Sequence, residues 1–137
     1  MEAPLFLTRE KHQRDYYDSL FDEDSAIFLA FSSNEPVGFM RIRKNKELDA
    51  TTLSDMNTGL VDQIGAYVRP TYRSRGVGRA LLLNCIQWCQ HHDITRIHVD
   101  FESANLLGRS FWFKYFTPAM HSGRRTVYRD VIPTEEI

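Results

Sequence analysis

Four arginines and two glycines lie close together in mid-chain, between an apolar run that ends at Val68 and a stretch of helical periodicity that begins at Val77. They are Arg69, Arg73, Arg75, Arg79, Gly76 and Gly78. Backbone N–H groups at a helix start favour an anion, and glycine lets a ligand approach the main chain closely because it has no Cβ. The whole chain is nearly neutral, with 17 basic and 18 acidic residues, so this charge is local. The arginine-glycine segment (residues 69–79) therefore predicts a site for a ligand that carries a pyrophosphate group.

Other interpretations of the same residues exist. The chain lacks the Gly-x-x-x-x-Gly-Lys-Ser/Thr pattern of a Walker loop. A dinucleotide fingerprint, Gly-x-Gly-x-x-Gly, fits Gly76 and Gly78 but meets leucine at position 81, although Asp100 lies near the distance expected for the acid that binds ribose. A helix that begins with glycines beside scattered surface arginines needs no ligand at all. The sequence leaves the last two interpretations open.

The pattern Arg73-x-x-Gly76-x-Gly78 resembles the Gln/Arg-x-x-Gly-x-Gly/Ala signature of the GNAT family of N-acetyltransferases. The similarity extends back through the strand that ends at Val68 and forward through the following helix, and it resumes weakly over residues 105–116. Residues 25–131 follow that family's order of elements. The resemblance implies a mixed α/β sheet with the acyl-CoA N-acyltransferase fold and a shortened N-terminal part, in one domain over residues 1–137.

The resemblance also implies an enzyme that moves an acetyl group from acetyl-coenzyme A to a primary amine. In that family the turn binds the pyrophosphate of coenzyme A mainly through backbone amides, and the pantetheine arm lies along the preceding strand. The residues implied for the pyrophosphate are Arg73, Ser74, Arg75, Gly76, Val77, Gly78 and Arg79. Tyr67 and Val68 would offer main-chain groups to the arm, and one of their N–H groups would polarise the thioester carbonyl. Asn105 occupies the position of an asparagine that often contacts the arm.

The acceptor amine must lose a proton, because an ammonium group with a pKa of about 10.4 cannot attack a thioester. The resemblance places Asp62 where the histone-acetylating branch has its glutamate base, and Glu102 is a second candidate. Where the family commonly has a tyrosine that protonates the leaving thiolate, this chain has Trp112, whose indole N–H is too weakly acidic. Tyr115, three residues on, is the candidate acid. A strand-edge acid would explain Asp62, and a core aromatic would explain Tyr115, without any catalytic role.

The apolar pattern predicts the elements that must position this site. Strands at 25–32 and 37–43 form an antiparallel hairpin around a turn at 33–36. A strand at 60–69, a helix at 77–92 and a strand at 94–101 form one βαβ unit, so its two strands are parallel. The remaining expected elements are an N-terminal arm over 1–7, a helix over 8–20, a helix over 103–115 capped by Ser103, and strands over 116–120 and 126–132. This order predicts a mixed sheet with helices on its faces.

Composition excludes several classes of function. The balanced charge argues against a general nucleic-acid binder. No apolar run reaches the roughly 18–20 residues that cross a bilayer, and the N-terminus lacks a signal-peptide pattern, so we expect a cytoplasmic protein without a membrane partner. Cys85 and Cys89 lie four residues apart on one apolar helix face, where we expect reduced, buried thiols and no metal site.

The N-terminal part is short for the family, because only 24 residues precede Ser25 where a strand and two helices normally stand. A fragment, one half of a tandem protein, or a homodimer that completes the acceptor site would each explain this. The acceptor is a small-molecule or peptide amine that the sequence does not identify. A module that holds acetyl-coenzyme A without turnover is the alternative function, and Trp112 favours it.

Overall fold

The computed structural model describes residues 24–46, 56–61, 65–102 and 104–121. The elements in chain order are β1 (Ser25–Ser32), β2 (Glu35–Lys44), β3 (Gly59–Val61), β4 (Ala66–Val68), α1 (Val77–His91), β5 (Ile97–Val99) and α2 (Leu106–Tyr115). A 3₁₀ turn over Pro70–Tyr72 connects β4 to α1. The strands form one mixed sheet, which confirms the predicted fold class. The arm, helix and strand predicted over 1–7, 8–20 and 126–132 lie outside the described residues.

β1 and β2 form the predicted antiparallel hairpin. Ser33 and Asn34 both have positive φ, 48° and 68°, so the connection is a two-residue turn whose twist matches that of the strands. The predicted turn was two residues too long, because Glu35 and Pro36 already belong to β2. Pro36 is tolerated there because it stands at the beginning of the strand, beside a register shift in β1.

β3 and β5 are parallel, as predicted for the βαβ unit. The prediction of one strand over 60–69 is wrong, because β3 and β4 are separate strands with different partners. Among the described strands, β3 pairs with both β2 and β5, whereas β4 pairs only with β2. Leu60 lies opposite Arg43 and Ala66 lies opposite Met40, so the six steps from Leu60 to Ala66 correspond to three steps along β2. The register against β2 therefore changes between β3 and β4, and hydrophobic periodicity does not reveal such a change.

α1 packs on one face of the sheet and forms the core with it. Its buried side chains are Leu81, Leu82, Cys85 and Cys89. The buried partners from the sheet include Met40, Ile42, Val61 and Val68. Gly59 marks the closest approach of helix to sheet, because a Cβ there would stand 2.8 Å from the Cys89 Sγ. Each fully buried aliphatic side chain contributes about 1.5–3 kcal/mol, so this interface is the principal source of stability that the described residues show.

The ends of the later elements differ from the predictions. β5 begins after 94 because the Ile94 N–H closes the last turn of α1 on the Cys89 carbonyl, at 2.9 Å. α2 begins later than 103, since Asn105 rather than Ser103 caps it: the Asn105 Oδ1 accepts from the Gly108 N–H at 3.1 Å. The strand predicted over 116–120 does not form, because the Phe116 N–H donates back to α2 and the residues after it pair with no strand in the described part of the chain.

The two cysteines are free and buried, as expected. Burial raises the pKa of the Cys85 thiol from 9.0 to about 12, and the Cys89 thiol adds to this; burial also raises the pKa of Cys89 to about 11. Between pH 9 and about 11 the thiols of the unfolded chain ionise while those of the folded chain stay protonated. The stability that these thiols contribute below pH 9 is therefore lost as the pH rises towards 11 or 12.

We expect slow labelling by a thiol reagent at pH 8 without denaturant, rapid labelling in urea, and a lower unfolding midpoint at pH 10 than at pH 8. Rapid labelling of the folded protein would contradict this burial, and the Cys85→Ala variant should show a weaker pH dependence.

Candidate functional site

The arginine-glycine segment forms a tight, strained turn between β4 and α1. The Tyr72 N–H donates to the Arg69 carbonyl at 2.9 Å, which closes the 3₁₀ turn. Ser74 and Gly76 then adopt positive φ, 61° and 84°, while Arg75 between them does not. Alternating handedness along a short segment turns its N–H groups towards a common concave side, and such concavities bind anions. Serine is uncommon in this left-handed conformation, which Ser33 also adopts in the β1–β2 turn, and at Ser74 it marks a tight bend of the main chain.

The N-terminus of α1 presents backbone donors at this turn. The first hydrogen bond of the helix runs from the Ala80 N–H to the Gly76 carbonyl, at 3.0 Å. The N–H groups of Val77, Gly78 and Arg79 precede it, and no backbone carbonyl of the described residues accepts from them. A Cβ built on Gly76, the residue that precedes these donors, meets no atom of the described residues within 4 Å, so the space beside Gly76 is open in that part of the chain. The geometry is that of an anion site at a helix N-terminus.

Gly78 has a structural role that the sequence analysis did not anticipate. A Cβ there would lie 3.0 Å from the ring of Phe111, so this glycine lets α2 pack against the first turn of α1. The Phe111 ring in turn contacts the ring of Tyr115, with the centroids 5.2 Å apart. These contacts place Tyr115, whose side chain is 44% exposed, on the flank of the arginine-glycine segment.

The four arginines of the segment are not equivalent. Arg69 forms an exposed ion pair with Glu35, whose hydrogen bond raises the pKa of the guanidinium. Arg75 lies over the ring of Tyr72 at 5.7 Å, and Arg79 is exposed on α1. Neither of these two forms an ion pair with a described residue. Arg75 and Arg79 are therefore the cations of the segment whose charge is not neutralised by a described carboxylate.

Arg73 turns back towards the strand. Its Nε donates to the Val68 carbonyl at 2.9 Å, and its guanidinium lies 5.8 Å from the centre of the Tyr67 ring. The side chain is partly buried in this position. These two contacts direct the Arg73 side chain towards the end of β4.

Separation of β4 from β5 leaves one edge of β4 without a described strand beside it. The Arg69 N–H donates to the Val37 carbonyl at 2.8 Å, so in an antiparallel ladder the main-chain groups of Tyr67 and Arg69 point towards β2. A Cβ on Gly38 would indeed lie 2.8 Å from the Tyr67 carbonyl oxygen. The main-chain groups of successive residues in a strand point alternately to its two sides. The N–H and carbonyl of Val68 therefore point away from β2, to the side that we call the open edge of β4.

The predicted catalytic residues are distributed unevenly over the structure. Asp62 lies outside the described residues. Glu102 is exposed, three residues after the end of β5, and its carbonyl accepts the Asn105 N–H at 3.0 Å. Trp112 is only 2% exposed and belongs to the core, which explains why an indole stands there. Asn105 uses its side-chain oxygen as the cap of α2, which leaves its amide nitrogen as the group for any ligand.

Two other kinds of site find no support in the residues described. No set of three or more His, Cys, Asp or Glu side chains in these ranges is arranged to hold a metal ion. Within the same ranges, no helix combines the length and apolar character needed to span a bilayer.

Comparison with protein families gives one match over most of the chain. A model described as the acetyltransferase (GNAT) family matches residues 2–115. The match therefore includes residues before β1, which the motif-based resemblance had not covered. Among curated proteins, the chain is similar to streptothricin acetyltransferase A of Bacillus subtilis (strain 168), with 25% identity over 118 residues. That alignment covers 79% of this chain and 62% of the relative, so the chain spans less than two thirds of that protein's length.

Solved structures give the same picture of the fold. The aminoglycoside 6'-N-acetyltransferase AAC(6')-IG from Acinetobacter haemolyticus superposes with a TM-score of 0.71 at 18% identity, over 86% of this chain and 80% of that one. The aminoglycoside N-acetyltransferase AAC(6')-Iy, solved in complex with CoA, superposes with a TM-score of 0.65 at 18% identity, over 90% and 89%. These similarities confirm the predicted acyl-CoA N-acyltransferase fold.

Proposed function

Because this chain belongs to the acetyltransferase (GNAT) family, we propose that it transfers an acetyl group from acetyl-coenzyme A to a primary amine. The observation that carries the proposal is the open edge of β4 beside the donors at the start of α1. One ligand with a diphosphate and an extended amide arm would use both features. Acetyl-coenzyme A has this shape, and it supplies the activated thioester carbonyl.

The donor set fits the two halves of that ligand. The N–H groups of Val77, Gly78 and Arg79 would bind the pyrophosphate, with the concave turn at Ser74 and Gly76 around it. The side chains of Arg75 and Arg79 add positive charge, because described carboxylates do not neutralise them. The aminoglycoside relative AAC(6')-Iy was solved with CoA, which supports the same class of ligand here.

The pantetheine arm would lie along the open edge of β4. One arm amide N–H would donate to the Val68 carbonyl, which has a second lone pair besides the one that accepts from Arg73, while the main-chain groups of Tyr67 pair with β2. The Val68 N–H would be the donor that polarises the thioester carbonyl oxygen, as an oxyanion hole does. Asn105, next to this edge in the family pattern, would offer its amide nitrogen to the arm.

Proton transfer is the second part of the proposed mechanism. Asp62 would take the proton from the acceptor ammonium, directly or through a water. Tyr115 would give a proton to the leaving thiolate; its exposed ring on the flank of the segment is compatible with this role. Trp112 cannot substitute for it, because the indole is buried in the core.

The acceptor that the relatives favour is a small molecule with amino groups. The curated relative is a streptothricin acetyltransferase, and both solved relatives named above are aminoglycoside acetyltransferases. We therefore propose a small-molecule amine as the acceptor, ahead of a peptide amine, and a cytoplasmic enzyme. A module that binds acetyl-coenzyme A without turnover is the second candidate, because Trp112 replaces the tyrosine that usually serves as the acid.

A thiol-release assay tests the proposal and separates the two candidates. We expect acetyl-coenzyme A to raise the melting temperature, because saturation at 100 times Kd adds about 2.7 kcal/mol to folding stability. We also expect free coenzyme A to accumulate with at least one amine from a panel of aminoglycosides, polyamines and peptides. Stabilisation without release for any amine would favour the binding module. Absence of both effects would contradict the proposed function.

A further inference from the structure

Arg73 makes a contact that a phosphate-binding arginine does not need. Its Nε donates to the Val68 carbonyl, and its guanidinium lies 5.8 Å from the centre of the Tyr67 ring, within cation–π range. The 3₁₀ turn over Pro70–Tyr72 makes this possible, because it reverses the chain within three residues and brings position 73 back to the end of β4. The contact ties the two ends of the segment between Val68 and Arg73 together.

The bonded carbonyl belongs to the residue that faces the open edge. Val68 presents both its N–H and its carbonyl there, and an edge carbonyl without a partner is free to pair with whatever lies alongside. With Arg73 bonded to that carbonyl, the Val68 peptide groups are fixed relative to the donors at Val77 and Gly78. A ligand that spans both places needs this separation to be constant, since a displacement of about 1 Å at a reacting group can cost 10²-fold in rate.

We propose that Arg73 is a positioning residue. Its Nε–H group, which is bonded to the δ carbon, holds the Val68 peptide at a fixed distance from the amides of α1. The positive charge of Arg73 is secondary to this role. The identity of the spanning ligand rests on the proposed function. Glutamine also has a nitrogen bonded to its δ carbon, so it can donate from the same place without a charge. Lysine has a carbon bonded to its δ carbon, and its charged nitrogen is one atom further from the main chain. The inference accounts for a signature position that accepts arginine or glutamine.

Three substitutions at one position separate the place of the donor from the charge. Arg73→Lys keeps the charge and moves the donors one atom further out, Arg73→Gln keeps a donor on the δ carbon and loses the charge, and Arg73→Met loses both. For Arg73→Lys we expect kcat to fall about 10–100-fold and KM for acetyl-coenzyme A to rise only a few-fold. Arg73→Gln should restore most of that kcat, and Arg73→Met should resemble the lysine variant.

A ligand without the pantetheine arm provides the matched measurement. ADP has a diphosphate and no arm, so we expect its Kd to change less than about 2-fold in all three Arg73 variants. Arg75→Gln and Arg79→Gln are the controls: each should weaken ADP and acetyl-coenzyme A alike, with a reduced dependence on salt.

The outcomes are distinct. An active lysine variant with an inactive glutamine variant would overturn the inference, because charge would then be the property that matters. Equal activity in all three variants would overturn it as well. Should the lysine variant fail to fold, as judged by its melting temperature, the comparison of glutamine with methionine decides in the same way. Wild-type protein that binds no acetyl-coenzyme A would instead refute the proposed function, before any variant is compared.

Discussion

Replacement of Gly76 by aspartate is expected to abolish the binding of acetyl-coenzyme A, with a Kd at least ~100-fold higher, because like charges brought together cost several kcal/mol. The Gly76 Cβ position faces open space, with no atom within 4 Å. Gly76 is the N-cap of α1, so a carboxylate there would place a negative charge next to the donors to which we assign the pyrophosphate. Calorimetric titration with acetyl-coenzyme A measures the effect directly.

Gly76→Asn is the matched control for backbone strain. Gly76 has φ of 84°, and asparagine tolerates this left-handed conformation better than most residues, while it has the size of aspartate and no charge. We expect Gly76→Asn to weaken binding by about 10-fold or less, since left-handed strain costs roughly 1–2 kcal/mol. Equal losses for both variants would attribute the effect to strain or bulk. Unchanged affinity in the aspartate variant would refute the assignment of this turn to the pyrophosphate.

Replacement of Asp62 by asparagine is expected to lower turnover by about 10²- to 10⁴-fold, which is the usual contribution of a positioned general base. Affinity for acetyl-coenzyme A should stay within about 2-fold, because the proposed cofactor contacts come from β4 and α1. In the wild-type enzyme the rate should rise with pH as the base loses its proton. In the asparagine variant the rate should no longer rise with pH over this acidic range, which a pH–rate profile of kcat/KM detects.

Glu102→Gln distinguishes the two candidate bases. Glu102 is exposed beyond β5 and is the second acid that the sequence offered. A strong loss in Glu102→Gln together with a normal pH–rate profile in Asp62→Asn would move the role of base to Glu102. Normal profiles in both variants would leave proton removal to water or to the acceptor itself.

Local patterns predicted the framework of the fold. A short apolar run, with apolar residues on both faces, predicted β1 with the bounds that the structure has, Ser25–Ser32. The spacing of apolar residues predicted α1 to within one residue of its end at His91. These signals are strong because burial on one face of a strand or helix imposes its period on the sequence. The N-cap of α2 was misplaced, since Ser103 and Asn105 are both good capping residues and only the bond to Gly108 distinguishes them.

The sequence by itself determined the family motif, the glycines at the start of α1 and the buried thiols, because each depends on residue type and short-range spacing. Tertiary structure alone decided three features of the site: the change of register between β3 and β4, the contact of Gly78 with Phe111, and the turn of Arg73 towards Val68. Each of these features joins groups on different elements or across a turn. Strand partners and side-chain directions follow from how the whole chain packs, so no local pattern specifies them.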